Sequence, residues 1–278
     1  MEPAPKLTLN NGVYLDQVGF GTYKVPAADT ARLVADALTA GYRHIDTAAL
    51  YGNEEGVGEA VRAFTSGGGV PRNEIYLTSK VWNADQGYDR TMQAFEDSMA
   101  RLGLETLDLY LIHWPCPERG LFVDTYRAME ELYRAGRVRA IGVSNFQPDH
   151  LKQLVDAAEI VPAVNQIELH PWLQQRELRA LHSELGIRTV AWSPLGRGAV
   201  LADPVIKGIA ADLGVSPAQV ILRWHVEQGT TVIPKASSPE RMAENLDLFS
   251  FELTAAQQAA VAALDRNRRS GSHPDAVN

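Results

Sequence analysis

Asp46, Tyr51, Lys80 and His113 follow one another through the first half of the sequence as titrating side chains of complementary type. Asp46 closes the short apolar run that begins at His44, and Tyr51 comes one loop later, just ahead of a helical stretch. Lys80 and His113 end the next two apolar runs. These residue types suit carbonyl reduction. Hydride addition to an aldehyde or ketone builds negative charge on oxygen, which needs a proton donor and hydrogen bonds in the transition state. A free tyrosine, with a pKa of about 10, holds its proton too tightly at neutral pH, and a nearby ammonium favours the phenolate. The expected roles are Tyr51 as acid, Lys80 as tuning cation, Asp46 as counter-ion and His113 as a neutral imidazole orienting the carbonyl. Each residue also has a plainer reading, as a buried ion pair, a core histidine or a packing ring. Their falling at the same end of consecutive units favours the chemistry.

Those units come from an alternation of short β-prone runs with longer amphipathic segments. Strands are expected over 19–23, 43–46, 75–80, 107–113, 140–144, 163–169, 188–192 and 231–233. Helices are expected over 28–40, 54–64, 89–102, 122–135, 148–158, 175–185, 217–228 and 239–246. Gly41, Gly103, Gly136, Gly186 and Gly229 stand where helices should end, and Asp149 and Ser238 near where two should begin. The pattern argues for an α/β fold, a (β/α)8 TIM barrel, with a doubly wound open sheet as the other topology sharing it. Asn10-Asn11-Gly12 between short apolar segments predicts an N-terminal β-hairpin cap at one end of the barrel. Two extra helices, over 203–213 and 254–264, stand outside the repeat, and 267–278 reads as a surface loop. No linker or low-complexity tract divides residues 1–278, so a single domain is expected.

Composition narrows the partners. A net charge of −8 gives no electrostatic footprint for nucleic acid or an anionic membrane. The first residues lack the layout of a signal peptide, and no apolar run approaches the roughly 18 residues of a bilayer span. The lone cysteine, Cys116, forms no internal disulfide and fits a reducing cytosol; an inert buried thiol is expected. A cytoplasmic monomer acting on a small-molecule carbonyl substrate is the expectation. His44, Asp46 and His113 would be the ligands of a rival metal-dependent hydrolase. Lys80 would then compete with the cation for Asp46, and His-Glu-x-x-His and Cys-x-x-Cys signatures are absent, so no metal is expected. No Gly-x-Gly-x-x-Gly opens a helix after a strand, which argues against a Rossmann dinucleotide site.

Longer motifs carry a resemblance. GTY at 21–23, GYRHIDTAALYGNEE at 41–55, LTSKVW at 77–82, LYLIHWP at 109–115, IGVSNF at 141–146, NQIELHP at 165–171, WSPL at 192–195 and VIPKASSPERMAEN at 232–245 together resemble the aldo-keto reductase superfamily over nearly the whole chain. The short loops and the ending resemble its compact bacterial branch that includes 2,5-diketo-D-gluconate reductases. The resemblance implies NADPH (NADP+) laid across the barrel mouth, with Asp46, Tyr51, Lys80 and His113 as the catalytic set. It implies that Ser144, Asn145 and Gln166 hold the nicotinamide carboxamide, that Asp46 reaches the ribose, and that Trp192 stacks on the ring. Gly21, Thr22, Tyr23, Ser193, Pro194 and Leu195 join the implied cofactor contacts. Lys235, Ser238 and Arg241 fall at the 2′-phosphate, with Ser237 among the cofactor contacts and Glu244 and Asn245 near the adenine. Ala236 stands where many relatives have serine, which implies a softened preference and some NADH use. Tyr23, Tyr51, Trp82, His113 and Trp114 are the implied substrate walls. An NADPH-binding, redox-sensing accessory subunit with little turnover is the other role the family offers. Arg266, Arg268 and Arg269 suit anionic substrates or a solvated tail equally.

Overall fold

A computed structural model describes residues 4–278. Eight parallel strands follow one another in chain order around a ring: β3 (Gly19–Gly21), β4 (His44–Asp46), β5 (Tyr76–Val81), β6 (Leu107–Ile112), β7 (Val138–Ser144), β8 (Val164–Glu168), β9 (Arg188–Trp192) and β10 (Thr231–Val232). The first and last neighbours meet through a parallel bridge from Val18 to Val232, and Gly21 N donates to Pro234 O at 3.1 Å. That near-closure separates the barrel from an open doubly wound sheet.

The helices α1 (Ala27–Ala40), α2 (Glu54–Ser66), α3 (Tyr88–Leu102), α4 (Phe122–Arg134), α5 (Pro148–Ala157) and α6 (Arg176–Leu185) each follow a strand. After β9 comes the additional helix α7 (Pro204–Leu213) ahead of α8 (Pro217–Glu227); α9 (Pro239–Leu246) follows β10, and α10 (Ala255–Ala262) is the second addition. The five glycines expected at helix ends all have positive φ. Ser238 caps α9 through its Oγ, whereas Asp149 sits inside the first turn of α5 and Gln147 takes the cap position. Pro148 explains that shift, because its fixed φ suits the first helical residue.

Strand parity decides what points where. In β6, Leu109 and Leu111 join an inner cluster with Tyr76, Ala140, Val164 and Val190, while Tyr110 and Ile112 join the shell beneath the helices. A period of two continues past each strand end. The even positions of β4, β5, β7, β8 and β9, and the odd ones of β6, therefore face the barrel axis. The hairpin of β1 (Lys6–Thr8) and β2 (Tyr14–Asp16) closes the amino-terminal end. Leu9 and Leu15 join the inner cluster, and Asn10 and Asn11 donate to the carbonyls of Pro162 (3.1 Å) and Arg139 (2.9 Å). Among the described residues no single helix is long and apolar enough to cross a membrane.

Six histidines are buried, and three of them, His44, His182 and His225, sit in the framework. His44 meets Thr78 Oγ1 at 3.1 Å inside the barrel, His182 lies between Asn165 and Thr189 at 2.9 Å each, and His225 approaches Pro194 O at 3.3 Å. Desolvation pushes them down to about 4, 3 and 3. An unfolded imidazole takes its proton near about pH 6.5, so below that pH the unfolded chain binds more protons than the native one. Their contribution to stability is full above about pH 6.5 and is lost as pH falls toward the folded values. The expected result is that these ring resonances stay unshifted in the native protein between about pH 7.5 and about pH 5, while urea resistance declines. Native titration near pH 6.5 would contradict the burial argument.

Candidate active site

Parity brings Asp46, Lys80, Ser144, Gln166 and Trp192 to the axis at the carboxyl ends of their strands, and His113 continues the inward set of β6. At the centre lies a buried ion pair. Lys80 Nζ donates to Asp46 Oδ1 at 2.6 Å and to the Thr47 carbonyl at 2.8 Å, and Gln166 Nε2 donates to Asp46 Oδ2 at 2.7 Å. Lys80 is fully buried and Asp46 nearly so. Desolvation lowers the Lys80 pKa from its usual range, with Asp46 opposing the shift.

Tyr51 rides on a loop pinned from both sides. Asn53 accepts from Thr47 Oγ1 at 2.9 Å and donates to the Thr22 and Val25 carbonyls at 3.0 and 3.2 Å. Glu54 takes Ser79 Oγ at 2.5 Å and Arg101 Nε at 2.7 Å, which ties the start of α2 to β5 and α3. The Tyr51 ring then stands 5.2 Å from Lys80 Nζ, with the His113 and Tyr23 rings at centroid distances of 5.7 and 5.1 Å. Its phenol pKa is raised well above the ordinary value, first by burial and then by the charges of Asp46 and Tyr23. This differs from the lowering by Lys80 expected from sequence. The ammonium faces the ring and gives its protons to Asp46 and Thr47, so desolvation governs the phenol.

His113 is held by its own N–H to the Val81 carbonyl and by Asn145 Nδ2, which donates to the His113 carbonyl at 2.9 Å. Burial first, and Lys80 second, push its imidazole well below the usual range, so the ring is neutral near pH 7. Trp82 packs edge-on against it at 5.2 Å, outside the cavity wall. Trp114 does line the cavity, and Tyr23 is 46% exposed at its rim.

The cavity, of about 500 Å³, is walled by Gly21, Ser144, Asn145, Gln166, Trp192, Ser193, Pro194, Leu195 and Lys235 in addition to Asp46, Tyr51 and His113. Ser144 Oγ donates to the Gln166 carbonyl at 2.8 Å, and Trp192 Nε1 donates to Asn145 Oδ1 at 2.8 Å. These bonds fix the wall side chains; the Gln166 carbonyl also accepts from the Asn145 N–H at 2.9 Å and is saturated, whereas Asn145 Oδ1 retains a lone pair. Asn145 and Ser193 hold positive φ, an uncommon conformation for non-glycine residues. Thr22 lies behind the wall, its Oγ1 donating to the Asp46 carbonyl at 3.1 Å. Ala236 is buried beside the loop that leads into α9, Ser237 and Arg241 are exposed, and Glu244 is half-buried. Asn245 is buried; like these neighbours it stands outside the cavity lining.

Lys24, Leu50, Arg197 and Gly198 also line the cavity, and none was singled out from sequence. The available signal was Gly196-Arg197-Gly198 directly after a strand-end motif, a loop that turns through successive positive φ values. Lys24, Arg197 and Lys235 place three cationic side chains around the opening of an otherwise acidic protein. Cys116 is buried, and desolvation pushes its thiol up to about 11, so it is inert.

Residues 17–266 match the Aldo/keto reductase family. An aldo-keto reductase of Mycolicibacterium smegmatis is 55% identical over 275 residues, spanning 99% of this chain and 98% of the relative. A Bacillus subtilis protein named glyoxal reductase is 48% identical over 268 residues, 96% of this chain and 95% of its own. Among solved structures, a mutant of Gox0644 in complex with NADPH superposes with a TM-score of 0.94 at 46% identity, with 100% of both chains covered. The chain belongs to the aldo/keto reductase family and is a carbonyl-reducing oxidoreductase.

Removing Asp46 leaves Lys80 buried without its counter-charge. Asp46→Ala is expected to lower the unfolding free energy by about 3–5 kcal/mol in urea titration; a loss under about 1 kcal/mol would show that the pair does not hold the barrel mouth together.

Proposed function

We propose that the chain acts as one barrel domain, a cytoplasmic monomer, that reduces aldehydes and ketones to alcohols with NADPH, Tyr51 serving as general acid. The observation that carries this reading is the meeting of Tyr51, His113 and Asp46 on one cavity with Lys80 directly beneath. When bound, NADPH supplies the hydride. Ser144, Asn145, Gln166 and Trp192 would hold the nicotinamide end, and Lys235, Ser238 and Arg241 the phosphate on the adenosine. The fit rests on Asn145 Oδ1, which has acceptor capacity to spare, and on the cations around the opening.

The chain's own residues handle the oxygen. Neutral His113 donates a hydrogen bond to the carbonyl and orients it. Tyr51, protonated at neutral pH and held so more firmly by its raised pKa, transfers its proton to the oxygen as charge builds there. An alkoxide is a far stronger base than a phenolate, so the transfer stays favourable despite the raised phenol pKa. Lys80 then stabilises the phenolate left behind, an interaction stronger after proton transfer than before it. The aromatic and aliphatic rim of Tyr23, Leu50 and Trp114 excludes water without marking one shape, which favours a range of small carbonyls. The glyoxal reductase name of one relative supports dicarbonyls among them, and keto-sugars follow from the resemblance to the diketogluconate reductase branch. Ala236 brings no hydroxyl to the phosphate, which supports some use of NADH.

Tyr51→Phe keeps the ring and removes the donor. It is expected to lose turnover by about 10²-fold or more while NADPH affinity, measured by tryptophan quenching, stays within about twofold. Retention of most turnover would take the role of acid away from Tyr51.

A further inference from the structure

Beyond α10 the chain runs back across the carboxyl end of the barrel, tied at both ends. The backbone N–H groups of Arg266 and Arg268 donate to the Trp172 carbonyl at 3.1 and 3.0 Å, and both guanidinium groups lie over the Trp172 ring. Farther along, Asp275 faces His150 at 3.6 Å, and Asn278 Oδ1 accepts from Glu118 N at 3.0 Å. These contacts account for the arginines as tail anchors.

Between the anchors the tail meets a buried carboxylate. Glu168, the last residue of β8, is 1% exposed and has no lysine or arginine partner among the described residues. It is instead surrounded by donors: Ser270 N at 2.5 Å, Ser270 Oγ at 2.5 Å, Gly271 N at 3.1 Å and His170 Nε2 at 3.0 Å. Burying a carboxylate is costly without such donors. Here the tail provides three of the four, two of them backbone N–H groups, so releasing the tail would leave the charge nearly bare. The contact is therefore stiff.

That stiffness bears on one ring. A Cβ placed on Gly271 would come within 2.6 Å of Trp192 Cη2 and 3.2 Å of Glu168 Oε2, so the tail backbone presses on the indole as closely as glycine allows. The opposite edge of the indole is held by Asn145 Oδ1, whose amide also bonds the His113 carbonyl. No tail residue lines the cavity itself; the tail meets cavity-lining side chains at Trp192, its tightest contact, and at Arg197, 3.4 Å from the same Cβ position.

We propose that Glu168 is a positioning residue whose carboxylate latches the C-terminal tail, so that Gly271 fixes the Trp192 indole in the attitude that receives the nicotinamide. This rests on the reading that Trp192 stacks on the cofactor. The latch sets cofactor affinity and leaves the proton transfer to Tyr51 and its neighbours.

The test is a double-mutant cycle read by NADPH binding, with amide exchange at Ser270 and Gly271 followed in the same proteins. Glu168→Gln replaces one acceptor oxygen with a donor. It is expected to speed exchange of both amides, to raise the NADPH dissociation constant about tenfold, and to change kcat at saturating cofactor by less than about threefold. In a Trp192→Ala background the same change should weaken NADPH no further. Equal weakening by Glu168→Gln in both backgrounds would overturn the latch and leave the stacking reading intact. Unchanged NADPH affinity in Trp192→Ala alone would overturn the stacking reading and the latch with it. If Glu168→Gln does not fold, Gly271→Ala tests the same contact. It is expected to shift the Trp192 emission and weaken NADPH, and wild-type values for both would overturn the proposal.

Discussion

An ammonium buried without exposure beside a single carboxylate is the constraint around which the rest of this barrel is arranged. Taking both charges out of water costs several kcal/mol per ion unless every lone pair and proton finds a partner. The structure meets that demand with three groups. Asp46 takes Lys80 on one oxygen and Gln166 on the other, and the Thr47 carbonyl takes a second ammonium proton. β4, β5 and β8 must hold their register for these contacts to form. The loop after β4 must then turn at once to bring Tyr51 over the ammonium, and Asn53 and Glu54 fasten it there.

The electrostatics that follow divide the work. Burial lowers the His113 pKa and keeps the imidazole uncharged near neutral pH, and it raises the Tyr51 pKa, so the phenol, neutral there in any case, stays protonated well above that pH. Both are then hydrogen-bond donors facing one cavity. The positive charge beneath them lies too deep to bind substrate and close enough to steady a phenolate. Gln166 links this centre to the cavity wall, since the side chain that completes Asp46 also lines the cavity.

Much of this was legible in the sequence, for a physical reason. Parallel strands buried on both faces read as apolar runs, and a polar residue at the end of such a run must point into the mouth. Asp46, Lys80 and His113 announced themselves in that way, and the eight strands and the hairpin were found within a few residues of their bounds. The motifs then carried the family. Features that depend on tertiary approach were not legible. Lys24 and Arg197 reach the cavity from loops whose positive φ no periodicity encodes. Trp82 packs edge-on against His113 at 5.2 Å, an approach set by the loop that follows β5 and not by the strand pattern. The direction of the Tyr51 shift was missed because charge proximity can be guessed from spacing, whereas desolvation requires the packed site. The tail read as a surface loop, since its Glu168 contact spans a sequence separation of about a hundred residues.

The central claim is that Lys80 is a charged ammonium held under Tyr51 by Asp46. Nitrogen-15 NMR of the Lys80 side chain at about pH 7 tests it most directly. An ammonium signal that becomes that of a neutral amine when Asp46 is replaced by alanine is the expected result. A neutral amine in the unmodified protein would contradict it.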